Sequence, residues 1–300
     1  MIFGIIIVIL SAIIYGIIPL LTKIIYTFDL DAISVSFFRF FLMIPILFMI
    51  CFIKNKPLKI NISSLISIFL YIALPSGFTM LLLNASYTYI SIGTATTLHF
   101  LYPTFVILIC SFYYHQKIER KIIVSLILIT IGISCFIDGI DINGILGVLL
   151  AFLSAITYAI YLVQLEQSKF RRMDPLVLSL YTSICISIVL GIIGFYSKSL
   201  LFKESTFNSE LLFYLVIFSA LSMIALVFLQ IGARYLGAKL TALFSLFEPI
   251  TSIFAGIIFL NEELRFIKII GCLFILFAML NITFCQSKEN SSDCDENSKQ

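Results

Sequence analysis

Apolar residues run through this 300-residue chain in blocks of about twenty, and the polar residues that part them gather at the block ends. A helix needs about 20 mostly apolar residues to cross the hydrocarbon core of a bilayer. On that measure the pattern predicts ten spans, near residues 2–22, 33–53, 64–84, 92–114, 121–137, 144–164, 176–197, 211–231, 238–260 and 267–285. The breaks hold Asp29 and Asp31, Asn55-Lys56-Pro57, Asp138-Gly139 with Asp141, Asn143-Gly144, and Asp174-Pro175. The third and fourth spans are nearly continuous, with a short break around Tyr87 to Gly93. Residues 2–22 have no basic leader and no small-residue cleavage site, so they read as a retained span. Residues 286–300 are rich in Ser, Asn, Asp and Glu and read as a disordered tail.

The pattern occurs twice. Leu10-Ser11-Ala12-Ile13-Ile14-Tyr15 returns as Leu153-Ser154-Ala155-Ile156-Thr157-Tyr158, 143 positions later. Gly4 answers Gly147 and Asp31 answers Asp174 at the same offset; further on the offset is 146, where Tyr89 answers Tyr235 and Pro103 answers Pro249. Ten spans then divide into units at 1–140 and 141–285, five spans each. Five is odd, so the second unit enters the membrane from the opposite side. The expected fold is an all-α polytopic membrane protein of ten transmembrane helices in two inverted five-helix repeats, an arrangement that favours alternating access.

Composition strengthens the membrane reading. The chain is 61% hydrophobic and 12% charged, with a mean hydropathy of +1.14. A soluble core of this size could not hide so much apolar surface. The net charge of +3 is spread among loops, and no basic stripe points to nucleic acid. Seven scattered cysteines without a CxxC pair read as apolar fillers. Lys and Arg set the orientation. With the N-terminus inside, inner loops hold eleven (Lys54, Lys56, Lys59, Lys117, Arg120, Lys121, Lys169, Arg171, Arg172, Arg234, Lys239) and outer loops five (Lys23, Lys198, Lys203, Arg265, Lys268). Both termini are expected in the cytoplasm and the protein in the cell's inner membrane.

Particular stretches resemble the drug/metabolite transporter superfamily, specifically the EamA-type ten-span permeases. They are Phe228-Leu229-Gln230-Ile231-Gly232-Ala233-Arg234-Tyr235, Phe247-Glu248-Pro249, and Leu260-Asn261-Glu262-Glu263-Leu264. Ala95, Pro103 and Gln116-Lys117-Ile118 match more loosely in the first half. The chain departs from the family in having Tyr15-Gly16 where a Trp-Gly pair is common, and no Trp at all. The resemblance implies a carrier of small metabolites with a central cavity lined by the first, third, fourth, sixth, eighth and ninth spans. It also implies export by family habit.

Glu248 is the sharpest candidate for the substrate site. It falls mid-way along the ninth span, where a charge costs at least about 2.5–3.5 kcal/mol and so faces a cavity or a partner. Pro249 after it is expected to loosen the helix. Glu248 either binds a cationic group or takes up a proton, or else it only supports packing. His99 precedes Pro103 by one turn, as its counterpart Ser245 precedes Pro249, and could bind substrate, shuttle a proton or simply pack. Tyr102 stands where the second half has Glu248. Tyr15 and Tyr158 each follow a serine by one turn, which suits either cavity walls or close helix contact. Asn84 and Gln230 are repeat partners, and either bind substrate or tie helices. Snorkelling and a local ion pair account for Arg39, Lys23, Asp29 and Asp31. Glu262 and Glu263 are solvated loop charges or part of a gate.

Two histidines allow no HExxH zinc site, and no P-loop or GxGxxG is present, so neither metal nor cofactor is expected. ATP cannot drive transport on this chain; flux must be downhill, exchange, or coupled to a proton or other cation. The reading is a secondary transporter, as monomer or homodimer, that moves an amino acid or related amphipathic compound outward. Its rivals are an exchanger or importer of another metabolite class, a channel, a scaffold, and a membrane-embedded lipid-modifying enzyme.

Overall fold

The computed structural model describes residues 2–113, 142–166, 168–200, 208–245 and 247–260 without interruption, with scattered positions between 123 and 135 and between 266 and 281. The described residues form helices joined by turns, with no strand among them. The first is α1, Ile2–Tyr26, followed by α2, Ala32–Ile53. Next come α3, Ile62–Ile68, a π-helical stretch Phe69–Ala73, and α4, Leu74–Ser86. Then follow α5, Ile92–His99, and α6, Tyr102–Tyr113. The second half holds α7, Ile142–Glu166; α8, Pro175–Tyr196; α9, Ser209–Phe244; and α10, Phe247–Leu260. Seven stretches among the described residues are long and apolar enough to cross a membrane: 2–26, 32–53, 62–86, 92–112, 144–166, 175–196 and 209–242. They cover seven of the ten predicted spans. The spans predicted at 121–137 and 267–285 lie mostly outside the described residues, as do Gln116, Glu262, Glu263 and the tail.

Local chemistry sets the helix starts. Asp31 accepts from the Ser34 N–H at 2.8 Å, and Asp174 from the Leu176 N–H at 3.0 Å. These related residues are therefore caps of related helices, each satisfying a backbone donor that the first turn leaves free. Pro75 explains the π-helical stretch before it. Its ring cannot sit in a regular turn and it has no N–H to donate, so the preceding backbone widens to an i→i−5 bond from Leu74 N to Phe69 O.

The halves pack by exchange of equivalent partners. α1 lies along α9, and α7, its counterpart, lies along α4, the counterpart of α9's middle. A Cβ added at Gly4 would stand 2.8 Å from Tyr235 Cβ; one at Gly147 would stand 2.8 Å from Tyr89 Cβ. Both pairs are related by the duplication. The counterparts α2 and α8 lie side by side and run antiparallel. Ser34 Oγ, at the start of α2, donates to Ser199 O beyond the end of α8 at 2.7 Å. Lys56, beyond the end of α2, pairs with Asp174 at the start of α8 at 2.7 Å. Related helices that neighbour each other head to tail are what an inverted duplication predicts.

Loops that the charge count put on one face also meet in space. Lys56 reaches Asp174, Arg171 Nε donates to Arg234 O, and Lys169 donates to Ser67 on one face. On the other face, Lys23 Nζ donates to Tyr87 O.

Two expectations change. The fourth span is not one helix: it breaks at Phe100-Leu101, between α5 and α6. The ninth breaks likewise, after Phe244, and α9 is itself two helical stretches parted by a kink at Gly237, with φ 77° and ψ 172°. Pro103 and Pro249 thus sit in the first turns of α6 and α10 rather than loosening the middle of a helix. A first turn is where a missing N–H costs least.

Candidate functional site

Where the two broken helices cross, a small cavity lies between the halves. α1 contributes Tyr15, Ile18 and Pro19, α2 contributes Arg39, and α4 contributes Met80, Leu83 and Asn84. Tyr87, His99 of α5, Tyr158 of α7 and Glu248 of α10 complete the wall. The free volume is about 20 Å³, room for one water. From Glu248 the cavity extends towards the end where Lys23 holds Tyr87 O.

Glu248 is 7% exposed and is the second residue of α10, not the middle of a continuous span. Its backbone N–H donates to Ser245 O at 3.0 Å, which closes the turn across the break. The Gly16 backbone sits hard against this corner: a Cβ there would stand 2.6 Å from Glu248 O and 2.5 Å from Thr251 Cβ. α1 therefore carries its side chains up to the start of α10 because Gly16 has none.

His99 ends α5. Its Nδ1 lies 2.9 Å from Ser154 Oγ, and Ser154 Oγ donates its one proton to Ala151 O at 2.6 Å. A hydroxyl has one proton, so Ser154 must accept from His99, and the neutral ring carries its proton on Nδ1. The ring lies tilted against Tyr158 at 5.1 Å and Tyr102 at 5.4 Å, centroid to centroid.

The remaining candidates separate. Tyr15, Tyr158 and Asn84 line the cavity with Glu248 and His99. Asn84 is also a tie: its Nδ2 donates to Ser36 Oγ at 2.9 Å, and its backbone carbonyl accepts from Tyr26 Oη at 2.6 Å. Tyr102 stands one layer behind, edge-on to Tyr158 at 4.6 Å, and its buried hydroxyl has no partner among the described residues. Ser245 turns its hydroxyl back to Thr241 O at 2.8 Å. Gln230 is held in a tie away from the cavity, accepting from Ser179 Oγ at 3.0 Å and donating to Tyr161 Oη at 3.4 Å. So the second span lines this cavity, through Arg39, and the eighth does not.

Arg39 is the residue that sequence reasoning misplaced. It does not snorkel and has no pairing with Asp29 or Asp31. It is 3% exposed, its guanidinium 5.7 Å from the ring centre of Tyr15, 5.8 Å from Phe40 and 5.5 Å from Phe218. Asp31 is occupied as a cap, and Lys23 with Tyr87. Position along the chain gives depth in a helix, but not the face. The usable signal was the helical period: Val35 and Phe40, like Arg39, lie on the buried side of α2, while Phe41 and Phe48 are exposed.

A site shared between two broken helices deep in an apolar protein is suited to binding a small solute reversibly. A solved crystal structure superposes on this chain with a TM-score of 0.71 over 94% of it and 98% of that chain, at 13% identity, which is a likeness of fold. No curated protein matches the sequence. The EamA-like transporter family matches residues 2–137 and 145–284, one match for each half found by the duplication, and the chain belongs to that family.

Proposed function

We propose that this membrane transporter is a secondary carrier that moves an amino acid or related amphipathic compound out across the cytoplasmic membrane by alternating access. In this reading ten helices form two inverted five-helix repeats, residues 1–140 and 141–285, with both termini in the cytoplasm. The observation that carries it is the cavity itself, in which Glu248 of the second half meets Tyr15, Asn84 and His99 of the first. The antiparallel α2 and α8 support the inversion, since two halves that are inverted copies can exchange conformations and so turn the cavity from one side to the other. Glu248 is the group that binds the substrate's cationic end or takes up a proton. His99, Tyr15, Tyr158 and Asn84 shape the wall; Tyr102 backs it, Ser245 holds the turn before Glu248, and Gln230 ties helices away from it.

The test is flux in liposomes holding purified protein. Saturable uptake and counterflow of labelled amino acids are expected, and Glu248→Gln should reduce flux about a hundredfold, in line with about 3 kcal/mol for a charge-assisted bond. Full rates for that variant at every pH would remove Glu248 from the mechanism. Ohmic current without saturation would replace the carrier by a channel.

A further inference from the structure

We propose that Arg39 is the anion-binding pole of this cavity, so that the ligand held at Glu248 carries a carboxylate or similar oxyanion as well as a cationic group. The proposal rests on the carrier reading above and adds a second contact to it.

Arg39 is buried, lines the same cavity as Glu248, and is incompletely satisfied. Its Nε has no hydrogen-bond partner among the described residues. Its surroundings are three aromatic rings, which attract a cation through their faces; of the three only Tyr15 carries a hydrogen-bond acceptor, its hydroxyl. Arg39 and Glu248 line one cavity yet form no direct ion pair among the described residues. A guanidinium presents five donors in a fixed fork that matches a carboxylate. A dipolar ligand placed between the poles would give its carboxylate to Arg39 and its ammonium to Glu248. Its apolar remainder would lie against Ile18, Met80 and Leu83.

The rival explanation is that Arg39 merely balances the charge of Glu248. The two differ in what they predict for a ligand stripped of its carboxylate. The experiment uses purified full-length protein, wild type and Arg39→Gln, and three probes: leucine, its decarboxylated amine isopentylamine, and its deaminated acid isocaproate. The corresponding triads of phenylalanine and serine widen the panel. Binding is read by thermal stabilisation and transport by counterflow in liposomes. In the wild type the amino acid should bind about ten- to a hundredfold tighter than its amine, the worth of one charge-assisted contact. Arg39→Gln should weaken the amino acid by that factor and leave the amine unchanged, and Arg39→Lys should restore part of the difference. Glu248→Gln should do the converse, weakening amino acid and amine together and sparing the acid. If amine and amino acid bind the wild type alike, or if Arg39→Gln weakens both equally, the anion pole is overturned and the carrier reading stands. If no member of any triad moves saturably, the substrate class falls and the anion pole falls with it.

Discussion

Between α4 and α5 the chain turns through Tyr87–Ser91, and the Ser91 side chain accepts from the Thr94 N–H at 3.3 Å to start α5. At the equivalent place in the second half the residue is Gly237, whose non-helical φ of 77° and ψ of 172° kink the chain and part Ser209–Phe244 into two helical stretches. The neighbours differ as well. Lys23, at the end of α1, donates to a carbonyl at the start of the first junction, Tyr87 O, at 3.0 Å. Its counterpart Glu166, at the end of α7, accepts from an amide of the second, Ala238 N–H, at 3.3 Å. Each junction is thus clasped by the first helix of its own half, by a cation in one and an anion in the other. In the carrier reading proposed above, with the halves inverted, the two clasps would close opposite ends of the molecule and one inherited scaffold would carry two gates of opposite charge.

The largest break in this symmetry should come at Gly16, whose counterpart is Ala159. Ala159 is fully buried and already carries a Cβ. At Gly16 a Cβ meets backbone and a branched carbon that cannot swing away. Gly16→Ala should cost about 3 kcal/mol of stability, and Ala159→Gly about 1 kcal/mol, read as denaturation in detergent. Equal costs would mean that α1 and α7 do not approach their partners differently.

Exchanging the junction residues comes next. Gly237 occupies a backbone region that is essentially closed to other residues, and a Cβ would stand 3.0 Å from Glu166 Oε1. Gly237→Ser should therefore cost about 2 kcal/mol. Ser91→Gly should cost a few tenths of a kcal/mol, since glycine is a tolerable cap. A mild Gly237→Ser would show that the bend relaxes into an ordinary turn.

Removing the clasps should shift accessibility more than stability. Lys23→Met and Glu166→Gln should each cost about 1 kcal/mol. A cysteine placed at Ile18, in an otherwise cysteine-free chain, should react faster with an impermeant thiol reagent from the Lys23 side in Lys23→Met. In Glu166→Gln it should react faster from the other side. Identical labelling patterns would end the idea of opposite gates.

The smallest effect contrasts the two caps. Asparagine caps nearly as well as aspartate, so Asp31→Asn should be close to neutral. Asp174→Asn also loses the partly exposed pair with Lys56 and should cost less than about 1 kcal/mol. Burial alone would raise the Asp174 pKa, but the Lys56 contact and the Leu176 N–H outweigh it and hold it below the ordinary value. A depressed carboxyl stabilises the fold above its unfolded pKa of about 3.9, and that contribution is lost as pH falls through the folded value. Acid sensitivity below about pH 4 should therefore shrink in Asp174→Asn.

Much of this arrangement could be read in the chain. Apolar runs gave the helices from α1 to α9, and the repeated Leu-Ser-Ala-Ile-x-Tyr paired Tyr15 with Tyr158, both on the cavity wall. Glu248 and His99 stood out because buried polar groups are costly in lipid. The helix breaks were harder to read. A proline inside an apolar run signals a disturbance but does not say whether the helix bends there or begins again. Asn84 and Gln230 show the limit of symmetry: they are related in sequence, yet one meets the cavity and the other is spent on Ser179 and Tyr161. Arg39 was hidden for a different reason, since a charge near the end of a span has two homes, and only packing chooses between them.

The cavity's size sets a condition on every affinity that will be measured. A space for one water admits no metabolite, so a ligand can bind only those members of the ensemble in which α1, α4 and α10 have moved apart. The observed dissociation constant is then the intrinsic one divided by the fraction of molecules already expanded. A substitution that loosens either clasp would raise that fraction, tightening apparent binding without touching the ligand, while leaving the closed form less populated.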